Sequence, residues 1–135
     1  MIKLSRLTDY AVVILAEMAK DKGVPVSAAA LSERTNLPEP TVAKILKLLA
    51  KGGILTSTRG VNGGYVLTHG SRELKVTQII EAMEGPISLT ACVAGSDEEC
   101  ALESMCALNG RWNPVNKVMK AALNNVTLAD MTGVA

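Results

Sequence analysis

Residues 41–68 read TVAKILKLLAKGGILTSTRGVNGGYVLT, and the architecture of the chain follows from them. Val42, Ile45, Leu46 and Leu49 stand at offsets of 0, 3, 4 and 7, which is one apolar face of a helix. The other face carries Thr41, Lys44, Lys47 and Lys51, and Gly52-Gly53 ends the helix. Ile54–Ser57 and Tyr65–Thr68 then read as short strands on either side of the glycine-rich turn Thr58–Gly64. Just upstream, Ser27 suits the N-cap of a short helix through Arg34, and Thr35-Asn36-Leu37 is a tight turn. The next helix begins near Pro38-Glu39-Pro40, where proline is tolerated in a first turn. Two short helices joined in this way, the second with lysines outward, describe a helix-turn-helix. A hairpin directly after it makes a winged helix.

This arrangement predicts a double-stranded DNA partner. The third helix would lie in the major groove, with Thr41 and Lys44 nearest base edges and Lys47 or Lys51 nearer phosphate. Arg59, near the hairpin tip, suits the negative potential of a narrow minor groove, and Asn62 and Gly63 beside it complete the candidate DNA contacts. Charge supports this: residues 1–75 hold 11 Lys and Arg against 6 Asp and Glu, whereas residues 76–135 hold 3 against 7. A basic first half fits a polyanion, because cations bound at phosphates release counterions. The glycines are not a nucleotide loop, since a strand and not a helix follows them and no Gly-Lys-Ser or Gly-Lys-Thr is present. With Trp112, Tyr10 and Tyr65 as the only aromatic residues, a base-stacking RNA platform is also disfavoured.

At 135 residues the chain is one domain or a small domain with an appendage. Its 48% hydrophobic content allows an aliphatic core. No apolar run approaches the roughly 20 residues of a membrane span. The N-terminus leads into a helix and lacks a signal-peptide cleavage site, so a cytoplasmic protein with reduced thiols is expected. No nucleophile–base pair, paired carboxylates or cofactor loop points to an enzyme. His69, the one histidine, reads as an exposed loop residue.

Around the winged helix, residues 7–20 form a first helix, apolar nearly all round, with Thr8 or Asp9 as N-cap. Val76 opens a fourth helix that Gly85-Pro86 ends. Arg111–Asn124 reads as a long helix with Pro114 in its first turn and Asn113 or a neighbour as cap. Trp112, Val115, Val118, Met119, Ala122 and Val126 recur along it at three- and four-residue spacing. Such a face needs an apolar partner, either its twin in a homodimer or the first helix of its own subunit. Thr127 caps a last turn through Met131.

The three cysteines follow the pattern Cys92-x7-Cys100-x5-Cys106. Clustered thiolates suit zinc or an iron–sulfur cluster. The spacing is not that of a zinc finger, and Cys106, in Met105-Cys106-Ala107-Leu108, equally suits a core position. Spacing alone leaves ligation and burial both open.

Several stretches together resemble one known family over about 130 residues. They are Lys3-Leu4-Ser5 with Leu7-Thr8-Asp9-Tyr10-Ala11, then Arg59-Gly60-x2-Gly63-Gly64-Tyr65, the three cysteines, and Asn124-Asn125-Val126-Thr127-Leu128. The chain is similar to the Rrf2 family of bacterial winged-helix transcription regulators, which includes the Isc regulator and the nitric-oxide-sensing repressor. Glu84-Gly85-Pro86-Ile87-x-Leu89-Thr90-x-Cys92 and Cys100-Ala101-Leu102-Glu103-x2-Cys106-Ala107-Leu108 resemble the branch that regulates the Suf iron–sulfur assembly system. The resemblance implies a mainly α fold with a small β-hairpin wing and a long C-terminal dimerisation helix. It divides the chain into a DNA-binding part (1–84), a cysteine loop (85–109) and a dimerisation helix with tail (110–135). It implies a homodimer with a 2Fe-2S or 4Fe-4S cluster on Cys92, Cys100 and Cys106, whose state controls DNA binding. The function implied is a repressor of iron–sulfur assembly genes; the alternatives are a response to nitric oxide or redox, or zinc or no metal at the cysteines. The Isc type supplies a histidine where this chain has Asn109. The nitric-oxide-sensing type uses an acidic residue of the first helix, reaching across from the other subunit, and the matching residue is Asp9.

Overall fold

A computed structural model describes residues 2–99 and 105–133. Its elements are α1 (Arg6–Met18), α2 (Ala28–Thr35), α3 (Glu39–Lys51), β1 (Leu55–Thr58), β2 (Gly64–Leu67), α4 (Val76–Glu84), α5 (Asn113–Asn124) and α6 (Leu128–Thr132). The fold is mainly helical with a two-stranded antiparallel hairpin, the winged helix expected.

The main core forms where α1, α2, α3 and α4 meet. The expected stripe Val42, Ile45, Leu46 and Leu49 is fully buried there, with Ala11, Ile14 and Leu15 of α1 and Leu31 of α2. Val13 and Ala16 remain outside that set, so α1 is buried on one broad side and not all round. Helix α1 is capped by Ser5, whose Oγ accepts from the Thr8 N–H at 3.2 Å. This corrects the expected cap at Thr8 or Asp9. Thr8 lies a turn inside and fully buried, and its hydroxyl donates to Glu84 Oε2 at 2.5 Å, binding α1 to the end of α4.

Both hairpin strands sit within one residue of their expected bounds, paired from Leu55–Leu67 to Thr58–Gly64. The hairpin also gains an unforeseen third neighbour. Val26 and Tyr65 exchange two backbone hydrogen bonds of 2.9 Å, so the segment before α2 lies against β2. A Cβ on Gly64 would stand 2.7 Å from the Val26 carbonyl, so only glycine permits that approach.

Helix α5 begins at Asn113 and not Arg111, after turns that include Gly110 at φ 74°. No side chain caps it: Asn113 stands inside the helix, and the cap position is Trp112, whose indole can donate but not accept. It packs on α4 and not on α1: Met119, Leu123 and Val126 cover a second small core of Val76, Ile80 and Ile87. Thr77 donates to Asn124 at 2.8 Å, and Lys120 pairs with Glu81 at 3.2 Å. Beyond α5 the chain turns back. Val76 N–H donates to Val126 and Leu128 N–H to Leu74, both at 2.8 Å. Leu128 thereby enters the main core fully buried. Thr127 caps α6 as expected, with Asp130 completing a capping box; the Thr127 N–H holds the Asp130 carboxyl below the usual carboxylate range.

Candidate nucleic-acid interface and cysteine site

The turn before α3 is set by Asn36 at φ 61°, a left-handed conformation asparagine tolerates. Ser32 closes it by donating to the Leu37 carbonyl at 2.6 Å. With the apolar face of α3 in the core, Lys44, Lys47 and Lys51 are exposed and Thr41 is half-buried at the start of the helix. In the wing, the Gly63 N–H donates to the Gly60 carbonyl at 3.0 Å, so Val61 and Asn62 form the tip. A Cβ on Gly63 would approach the Thr58 oxygen to 2.4 Å. The turn is closed by its glycines, and Arg59 and Asn62 are left exposed. Every residue singled out for DNA is thus at the surface or half-buried, on the two elements expected to carry it.

Of the three cysteines, Cys100 lies outside the described residues; the sequence of Ala101–Cys106 reads as one or two helical turns, of which 101–104 also lie outside them, while Met105 and Cys106 are not helical. Cys106 is exposed, so its alternative as a core residue does not hold. Cys92 is half-buried, with its sulfur 3.1 Å from the Thr90 hydroxyl. Its loop is fastened to α5. Asn116, only 6% exposed, accepts from the Leu89 N–H at 2.9 Å and donates to the Ile87 carbonyl at 3.0 Å. Asn113, one turn earlier, accepts from the Ala94 N–H at 2.7 Å. Among the described residues, no three His, Cys, Asp or Glu side chains gather as a metal site. Asp9 is exposed in the first turn of α1. His69 is exposed as expected, and Glu73 stands 3.7 Å away.

Sequence reasoning missed Asn116 and Val26, and the roles of Asn113 and Glu84. The one available signal was the pair of asparagines three residues apart beside an apolar stripe.

A family model described as "Iron-dependent Transcriptional regulator", Rrf2, matches residues 4–133. The chain belongs to the Rrf2 family. Protein rrf2 of Nitratidesulfovibrio vulgaris is 30% identical over 133 residues, covering 96% of this chain and 86% of that protein. The structure of CymR, the global cysteine regulator of B. subtilis, matches with a TM-score of 0.73 at 30% identity, covering 98% of both chains. The structure of T. potens IscR matches with a TM-score of 0.68 at 31% identity, covering 98% of this chain and 87% of that one. As an Rrf2-family winged-helix protein, the chain is a DNA-binding transcriptional regulator and not an enzyme. Among the described residues, no helix is long and apolar enough to cross a membrane.

Proposed function

We propose that this Rrf2-family regulator is a homodimeric, cytoplasmic repressor that senses iron–sulfur cluster status at Cys92, Cys100 and Cys106 and controls iron–sulfur assembly genes, as in the Suf branch. The observation that carries this reading is the fastening of the Cys92 loop to α5. That helix leaves Val115 and Val118 exposed, and Trp112 is exposed just before it, as a seam between two copies requires. The iron dependence in the family description supports it. The donor set also fits: three thiols are soft ligands, and a hydroxyl beside Cys92 can donate to its thiolate. When bound, a cluster would supply an iron centre whose redox state or loss is the signal. Protein purified without oxygen is expected to absorb visible light and to contain iron and sulfide. A colourless preparation without either would overturn the proposal.

A regulator responding to nitric oxide or redox, or one with a structural zinc or no metal at the cysteines, is the second reading. It draws on Asn109 at the histidine position of the Isc type and on the likeness to the global cysteine regulator. Zinc in the same preparation would favour it.

In the proposed complex, α3 enters the major groove with Thr41 and Lys44 toward bases and Lys47 and Lys51 toward phosphates. Arg59, Asn62 and Gly63 meet the minor groove. Arg59→Ala is expected to weaken operator binding by about 1–3 kcal/mol. Titration at matched salt checks this, and unchanged affinity would refute the wing contact.

Asp9 is proposed as the further cluster ligand, reaching from the other subunit. Because Ser5 caps α1, the exposed Asp9 carboxylate is not engaged as the helix cap. Asp9→Ala should keep the cluster on its cysteines but alter its spectrum and blunt the response of DNA binding to cluster state. If both are unchanged after anaerobic reconstitution, Asp9 has no such role.

A further inference from the structure

Asn116 treats the segment before Cys92 as a neighbouring strand would. Its amide oxygen takes the Leu89 N–H and its amide nitrogen gives to the Ile87 carbonyl, two backbone groups two residues apart. The site is largely shielded from solvent: Ile87 and Val93 are buried, and so is Asn116 itself. Buried backbone groups left without partners are costly, so no apolar side chain of the same size can replace this amide. Asn113 adds a third bond on the far side of the cysteine, at Ala94. The three held positions, 87, 89 and 94, bracket Cys92. Cys106, by contrast, is exposed on the turns that precede α5.

We propose that Asn113 and Asn116 are positioning residues of the cysteine site, fixing the backbone on both sides of Cys92 to α5 so that this thiol and the helix move as one piece. This rests on reading the cysteines as the sensor. Under that reading, a change at Cys92 is passed to the helix that carries the exposed Val115 and Val118. Neither residue need touch the ligand.

The test uses the full-length, reduced, metal-free protein. Iodoacetamide is added and alkylation of Cys92 and Cys106 is followed separately by mass spectrometry. In Asn116→Ala the Cys92 rate should rise about tenfold, as expected when local opening no longer breaks these hydrogen bonds. Asn113→Ala should raise it less, by about threefold, because one bond is lost and not two. Cys106 should stay within about twofold of the wild type in both variants. An unchanged Cys92 rate in both overturns the proposal. So does an equal rise at both cysteines, which would mark general loosening. If Asn116→Ala does not fold, the half-buried Asn113 decides alone. Alkylation needs no cluster: a selective rise in a protein that binds no iron sustains the clamp and overturns only the cluster reading.

Discussion

Val118→Glu is expected to convert the protein to a monomer and to lower operator affinity on the order of 100-fold, the scale gained when two linked sites bind together. The reasoning turns on where Val118 stands. It is 71% exposed in the single subunit, so a charge there meets water and the fold of the subunit should survive. In the proposed dimer the same position lies in an apolar seam with Trp112 and Val115, where an unpaired carboxylate is costly to desolvate. The substitution therefore separates assembly from folding. Sedimentation should show the mass halved while circular dichroism keeps its helical signal, and operator titration should show the loss. A wild type that sediments as a monomer would remove the idea outright. Met119 is a poorer choice for this test, because it also packs inward on Val76, Ile80 and Ile87 and its loss would disturb both faces.

Leu128→Ala should destabilise the protein by about 2–5 kcal/mol, the range for removing a buried leucine and leaving a cavity. Leu128 is the residue by which the C-terminal tail enters the main core beside α1. It arrives there because its N–H donates to Leu74 at 2.8 Å and the preceding Val126 carbonyl accepts from Val76 at the same distance. A cavity at this point loosens the joint between the tail and the DNA-reading domain as well as the core. Urea unfolding at a fixed protein concentration measures it, since a dimer's stability depends on concentration. A change well under 1 kcal/mol would mean the tail contributes little to the fold.

The two substitutions contrast an exposed and a buried apolar residue that sequence alone treats alike. Val118 and Leu128 are both aliphatic residues on short helical segments near the C-terminus. Only the packing shows that one faces out and the other fills the core.

The helix-turn-helix and wing were legible because their signals are short-range. The α3 stripe repeats within one helix, Gly52-Gly53 stops it, and Gly63 is required by contact with Thr58 only five residues away. The caps at Ser27 and Thr127 likewise join residues three apart. The cap of α1 was misplaced because Thr8 has the right chemistry for a cap and its true use is distant: its hydroxyl reaches Glu84, 76 residues on. The same holds for the cysteine site. The cysteines could be singled out from their spacing and the family resemblance, but the clamp on Cys92 joins Asn116 to Ile87 across 29 residues and Asn113 to Ala94 across 19. Asparagine is common in helix first turns and surfaces, so nothing local marks one as a buried strut. By itself, then, the sequence determined the periodic and turn-forming elements, where each residue's neighbours along the chain supply the energy. The tertiary structure alone decided which face of α5 turns inward, what holds Cys92, and that Leu128 enters the main core, because those choices depend on apolar packing and polar pairing between segments far apart in the chain.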